Sequence, residues 1–220
     1  MKRDMITSAG ELAAAVLEMG MLPIFKNPVE GFSVQERTPK EYWFTELPGP
    51  WEWRMELAES GRFVYAKLFD GRAALMLPEL YTHLANWRRR GYDFDSLYEE
   101  GLAPLRLKNV MDVLTRAEGG MLSHDLKAAC GLDKGFDAAV TKLQMMTYIS
   151  VKRFEYRVDK YGRRFGWGVA RYDISERIYG ENTLTGAYAL PPEESFGLLL
   201  EKMKALCPDA GEKKLIKLLR

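Results

Sequence analysis

The order of apolar patterns between residues 104 and 175 constrains the fold of this chain more than any other feature. Apolar residues recur every three or four positions in three successive stretches, which is typical of short amphipathic helices. The stretches are Leu107 to Leu114, a second that begins near Ser123, and Phe136 to Leu143. We therefore expect three consecutive helices.

Two strand-like runs follow the third helical stretch. Residues 148–158 and 165–172 are rich in aromatic and β-branched side chains, and the turn residues Asp159 to Gly162 separate them. Three helices and a hairpin within about 70 residues is the order of a winged helix-turn-helix, whose third helix can enter the DNA major groove.

The first hundred residues indicate a different organisation. Ser8 and Glu11 form a capping-box pattern before a short amphipathic helix that Gly20 ends. Residues 21–50 contain five prolines interleaved with aromatic residues, which favours an ordered, core-packed loop. Two apolar runs joined by Asp70-Gly71 then predict a β-hairpin. The next predicted helix begins at Pro78 and ends in Arg88-Arg89-Arg90. Cations at this position suit the helix dipole, and such arginines are typically solvated.

The predicted fold class is α+β. We expect an N-terminal α+β region with a β-hairpin over residues 1–103, a winged helix-turn-helix domain over 104–175, and a C-terminal helical extension over 176–220. No apolar run has the roughly 18 residues of a membrane span, and the start of the chain lacks a signal-peptide core, so a cytoplasmic protein is expected. With two Cys and two His, no metal-ligand spacing occurs, and we expect no metal or other cofactor.

Charge is distributed unevenly although the net charge is only +1. Residues 1–103 carry 12 Lys and Arg against 16 Asp and Glu, whereas residues 104–175 carry 13 against 8. The excess concentrates in the second hairpin, at Lys152, Arg153, Arg157, Lys160, Arg163, Arg164 and Arg171. Such a stripe can contact a phosphate backbone, although it also suits an ordinary solvated hairpin.

The predicted partner is duplex DNA, bound mainly through phosphates. If Phe136, Val140 and Leu143 face the core, the opposite face of the third helix carries Lys134, Asp137, Thr141 and Gln144. Of these, Asp137 would oppose phosphate. Lys134 could contact phosphate and Gln144 could contact adenine. Three interpretations of this domain stay open. The third helix could read bases, or the winged helix could serve only for protein packing. The remaining interpretation is weak phosphate contact through the hairpin, at Lys152, Arg153, Arg157, Lys160, Arg163 and Arg164.

Several motifs taken together resemble the bacterial AlkZ-related family. They are Gly31-Phe32-Ser33-Val34, Gly49-Pro50-Trp51-Glu52-Trp53-Arg54, the Asp70-Gly71 hairpin, Gly91-Tyr92-Asp93-Phe94-Asp95, and Gly166-Trp167-Gly168-Val169-Ala170-Arg171-Tyr172. The resemblance covers most of residues 8–180. That family is similar to the winged-helix DNA glycosylases AlkZ and YcaQ, which implies tandem winged helices, a basic DNA channel and a role in DNA repair.

The glycosylase motif itself does not carry over. Those enzymes have Gln-x-Gln or Gln-x-Asp after an N-terminal helix, where this chain has Gly20-Met21-Leu22 followed by Pro23-Ile24-Phe25. Gln35 and Glu52 are the nearby candidates for excision chemistry, because an acid among indoles can activate water. Trp51 and Trp53 could stack a flipped base, although core packing of these rings competes with that role. Three hypotheses remain open: a DNA-binding protein without excision chemistry, an active glycosylase for alkylated or crosslinked bases, and a protein-interaction scaffold.

Overall fold

A computed structural model describes residues 4–45 and 47–219 as helices around two small antiparallel sheets. The helices are α1 (Ala9–Met19), α2 (Val34–Arg37), α3 (Pro50–Glu59), α4 (Pro78–Arg89), α5 (Phe94–Glu99), α6 (Leu105–Arg116), α7 (Ser123–Cys130), α8 (Phe136–Met145), α9 (Ser175–Tyr179), α10 (Glu181–Thr185), α11 (Pro192–Leu206) and α12 (Glu212–Leu219). The strands are β1 (Met21–Pro23), β2 (Val64–Phe69), β3 (Arg72–Met76), β4 (Met121–Leu122), β5 (Ile149–Val158) and β6 (Arg164–Ile174). The prediction of a mixed helix and strand fold is confirmed.

The N-terminal sheet has the strand order β1-β3-β2. Asp70 and Gly71 connect β2 to β3 with φ angles of 51° and 68°, the left-handed conformation that the predicted turn requires. Pro23 ends β1 after three residues, because proline cannot donate to a ladder. Helix α1 begins as predicted, with the Ser8 side chain accepting from the Glu11 N–H, and packs Leu12 and Val16 fully out of solvent.

The second sheet has the order β4-β6-β5, and Ile149 of β5 lies in a second core cluster while Val151 of the same strand lies in the first. Helices α6, α7 and α8 supply apolar side chains of the second cluster, among them Leu107, Leu126 and Leu143. Residues 104–175 therefore run helix, strand, helix, helix, strand, strand. The two core clusters meet at Tyr172 on β6, which packs against both.

The C-terminal helices complete the first cluster, not the second. Leu199 and Met203 of α11 and Leu215 of α12 are fully buried among the residues of α1 and the N-terminal sheet. The chain thus returns to its beginning after forming the second cluster. In the described residues, no helix is both long and apolar enough to cross a membrane.

Two arginines at the end of α4 correct the prediction of a solvated helix terminus. Arg88 donates to the carbonyl oxygens of Leu68 at 2.7 Å and Met145 at 2.6 Å, and burial lowers its pKa to about 10. Arg89 is 3% exposed, pairs with Glu176, and lies over the Tyr148 ring at 4.4 Å. These guanidiniums join the two clusters because their acceptors come from segments distant in sequence.

Candidate nucleic-acid interface

The longest strands of the protein form a hairpin over residues 149–174, here called the basic hairpin. Its ladder runs from the pair Ile149 and Ile174 to the pair Val158 and Arg164. Residues 157–167, here called the tip, are exposed except for half-buried Asp159, whereas the rest, here called the base, is buried or half-buried. The tip therefore projects from the body of the protein into solvent.

Ion pairs compensate most of the charge at the base of the hairpin, where two carboxylates face three cations. Lys152 Nζ lies 3.1 Å from Asp173, whose side chain is fully buried. Arg153 and Arg171 share the Glu155 carboxylate at 2.9 and 2.6 Å. The carboxylates come from the hairpin itself, and within the described residues no acidic side chain of the first hundred pairs with it.

Cations remain available at the tip. Arg163 pairs with Asp159 at 2.8 Å, while in the described part of the chain Arg157, Lys160 and Arg164 have no carboxylate within 4.0 Å. Two of them lie over tyrosine rings instead, Lys160 over Tyr161 at 5.0 Å and Arg164 over Tyr156 at 5.4 Å. The tip therefore keeps more uncompensated positive charge than the base, with four cations facing one carboxylate.

Two of the three hairpin carboxylates, Glu155 and Asp159, have lowered pKa values. The hydrogen bond from Arg171, more than any other contact, lowers the pKa of Glu155. For Asp159 the backbone N–H of Arg163 is the main cause, and the pKa of this carboxyl is also lowered. The negative charges of Glu155 and Asp159 therefore persist throughout the neutral pH range.

Next to the hairpin lies a surface cluster of aromatic rings that brings together distant parts of the chain. Trp167 on β6 has its ring centroid 6.4 Å from that of Trp51 on α3 and 6.3 Å from that of Phe44. Phe44 and Trp51 are 5.7 Å apart. We call these three rings the aromatic platform. Trp167 is 66% exposed and Phe44 is 68% exposed, so two of the three rings are open to solvent.

Local backbone features hold the platform in place. The pairing of β5 with β6 shifts between Glu155 and Arg157, opposite Gly166, which has a φ of 71°. Such irregularities re-aim the side chains that follow them. At Gly168 a Cβ atom would lie 2.7 Å from Met55 Cε, so this glycine lets β6 approach α3 closely. Phe44 itself has a φ of 57°, which costs free energy for a residue with a side chain.

The outer face of α8 is covered by the N-terminal sheet, which corrects the expectation for the third helix. Gln144 is 1% exposed and accepts the Lys67 backbone N–H at 3.0 Å. Thr141 is half-buried and accepts from Lys67 Nζ at 3.0 Å. Both side chains lie in an interface between α8 and β2, so the predicted exposure of Gln144 is wrong. Lys134, just before α8, is exposed as predicted.

The candidate catalytic residues make local hydrogen bonds. Glu52 accepts the Gly49 N–H at 2.9 Å at the start of α3. Gln35 accepts the Lys26 N–H at 3.0 Å. Trp53 is 4% exposed and packs against Tyr42, so its ring belongs to the core and not to a stacking surface. Catalysis by Glu52 or Gln35 stays a prediction.

The segment that would hold the glycosylase motif is apolar and buried. Met21, Leu22 and Ile24 are fully buried, and β1 pairs with β3 from Met21 to Pro23. In the described residues, no group of three or more His, Cys, Asp or Glu side chains could hold a metal ion.

The protein has a mixed α and β fold, with two small antiparallel sheets among helices. The exposed tip of its basic hairpin carries cations and aromatic rings, a combination that suits a polyanion. The chain belongs to the AlkZ-related family, because the model of that family matches residues 6–220. No curated protein and no solved structure matches the chain.

The aromatic platform was not among the sequence predictions. Trp51 was expected to stack a base beside Trp53, but its partners are Phe44 and Trp167. One signal was present: Gly166 and Gly168 flank a tryptophan within a strand-like run, and glycine in a strand often marks a bulge or a close approach.

Proposed function

We propose that residues 104–175 form a winged helix and that the protein binds duplex DNA through phosphate contacts at the tip of its hairpin. The observation that carries the proposal is the division of the hairpin into a base whose cations are all ion-paired and a tip where, among the described residues, Arg157, Lys160 and Arg164 are not. A protein that neutralises phosphates releases counterions, and this release drives binding that is independent of sequence. Membership of the AlkZ-related family supports the same conclusion.

Phosphate contact is favoured over base readout because β2 covers the face of α8 that carries Gln144. A helix reads bases only when its side chains reach into the major groove, and Gln144 is instead bonded to the edge of β2. Lys134 remains available as a further phosphate contact at the start of α8. The proposal therefore describes a binding protein with little sequence preference.

Excision chemistry is not part of the proposal. Glycoside cleavage needs groups that stabilise an oxocarbenium-like centre and orient water, and the segment in the motif position has only apolar side chains. Glu52 and Gln35 already satisfy neighbouring backbone N–H groups.

The test is salt-titrated binding to a labelled duplex of about two helical turns. With three unpaired tip cations in contact, the logarithm of the binding constant should fall with the logarithm of salt concentration with a slope of about −3. The double variant Arg157→Glu/Arg164→Glu should bind more weakly and reduce that slope by about 2.

The matched control makes the same change of charge at exposed lysines of α12, Lys213→Glu/Lys214→Glu, and should leave the slope unchanged. Absence of binding at low salt, or equal effects of the two double variants, would contradict the proposal. The first of these outcomes would favour the scaffold hypothesis.

A further inference from the structure

The aromatic platform is an unusual use of exposed apolar surface. Large aromatic side chains are normally buried because each removes much apolar area from water, yet Phe44 and Trp167 each leave about two-thirds of their surface in solvent. Their rings are not isolated, since both lie against Trp51. An open, supported aromatic surface of this kind is available to stack on a flat ligand.

The platform is rigid on the side that faces the protein. Arg54 lies over the Trp51 ring at 4.4 Å and over Phe154 of the hairpin base at 4.3 Å, and it donates to the Tyr65 hydroxyl at 2.9 Å. Phe25 and Trp43 pack behind Trp51, with ring centroids 5.8 and 6.1 Å away. Little conformational freedom is left to lose when a ligand binds, which favours affinity.

The charge beside the platform points to a nucleic acid. Trp167 follows Arg164 by three strand residues, which spans roughly 10 Å, and Arg164 has no carboxylate partner within the described residues. Cations that follow a phosphate backbone, combined with aromatic rings that stack bases, are the two elements of single-strand recognition.

We propose that Phe44, Trp51 and Trp167 stack on an unpaired nucleobase while the hairpin tip holds the neighbouring phosphates. This inference rests on the proposed function and makes it more specific: the preferred ligand is a duplex with an unpaired nucleotide, not a perfect duplex. Paired bases inside a duplex have both faces covered, so only an extruded base can stack on the platform.

The experiment compares two labelled duplexes that differ only in the bulged nucleotide. One carries a single extrahelical adenine, and the other carries a tetrahydrofuran abasic nucleotide at the same position, so that phosphates and bending are matched. Stacking on an aromatic side chain should make the adenine duplex bind about 5- to 150-fold more tightly. Trp167→Ala and Phe44→Ala should reduce this ratio towards one.

Leu102→Ala is the matched control, because Leu102 is 60% exposed and lies outside the hairpin and the platform. It should keep the wild-type ratio. Circular dichroism melting of each variant checks that the fold is retained. Equal affinity of the wild-type protein for the two bulged duplexes, with the perfect duplex still bound, would overturn the inference and leave the proposed function intact.

Failure of duplex binding altogether would contradict the proposed function, and a second measurement then decides the inference. A short single-stranded oligonucleotide should quench tryptophan fluorescence, whereas an abasic oligonucleotide of equal length should not, and Trp167→Phe should weaken the quenching. No difference between the two oligonucleotides would overturn the inference. A fluorescence change seen only with vesicles containing anionic lipid would do the same and assign the platform to a lipid surface.

Discussion

Replacing Gln144 separates two roles that the third helix of a winged helix could have. The side chain is 1% exposed, accepts the Lys67 N–H at 3.0 Å and donates to the Val140 carbonyl at 3.3 Å. Because β2 is the outer strand of its sheet, Gln144 supplies the acceptor that a further strand would otherwise provide. Gln144→Ala leaves that N–H without its partner at a buried contact.

The unfolding free energy should fall by about 1–3 kcal/mol, because the buried N–H is removed from water and gains no hydrogen bond in the folded protein. Urea denaturation measures the cost as a lower midpoint with an unchanged slope. Lys142→Ala on the same helix is the control, because Lys142 is exposed and its loss should change stability by less than about 0.5 kcal/mol.

Duplex affinity, measured where the Gln144→Ala variant is fully folded, should equal that of the wild type. A helix that reads adenine through Gln144 gives the opposite pattern, with unchanged stability and a loss of about 1–3 kcal/mol in discrimination between bases. That result would refute the assignment of α8 to an internal interface.

Three further predictions concern stability. Burial raises the pKa of Tyr172 to about 12, so the neutral hydroxyl stabilises the fold below pH 10. This contribution, about 3 kcal/mol, is lost as the pH rises from 10 to 12. Tyr172→Phe should make the fall of the unfolding free energy over that range, measured in urea, shallower, and an equal slope would contradict this. Glu52→Ala removes the acceptor of the Gly49 N–H and should lower the unfolding free energy by about 1 kcal/mol in thermal or urea unfolding. Unchanged stability together with loss of abasic product from alkylated duplex would instead identify Glu52 as catalytic. Gly120→Ala places a Cβ atom 2.3 Å from the Tyr172 carbonyl oxygen and should lower the urea midpoint far more than Gly119→Ala. Gly119 is the control because its φ is also left-handed and a Cβ atom there would meet nothing within 4 Å. Similar midpoints would show that the close approach at Gly120 is absent.

Local chemistry made much of the fold predictable. The turn at Asp70-Gly71 and the cap at Ser8 depend on residues a few positions apart, so the sequence contains all the information that fixes them. The same holds for the helices and the hairpin of residues 104–175, whose apolar periods are regular.

Contacts between distant segments were not predictable in this way. The periodicity of α8 shows which side faces its own core, but it does not show that a second sheet covers the opposite side at Gln144. Arg88 and Arg89 carry the sequence signature of a solvated helix end, and only the placement of Leu68, Met145 and Glu176 buries them.

The candidate site was predicted in part for the same reason. The excess of cations in the hairpin is visible in composition, but the alternation of ion pairs at the base and free charge at the tip depends on register. The aromatic platform unites Phe44 and Trp167, which are separated by more than half of the chain, and no local pattern relates them.

The separation of charge along the basic hairpin has a kinetic consequence. Because every cation at the base is ion-paired and, within the described part of the chain, three cations at the tip are not, the positive field of the hairpin is strongest at its projecting tip. A field of this kind orients the molecule during diffusion and raises the rate of encounter, while the lifetime of a complex depends on the contacts made afterwards. In the proposed function, charge at the hairpin tip would therefore govern how quickly a nucleic acid is captured, and the rings beside it would govern how long it is retained.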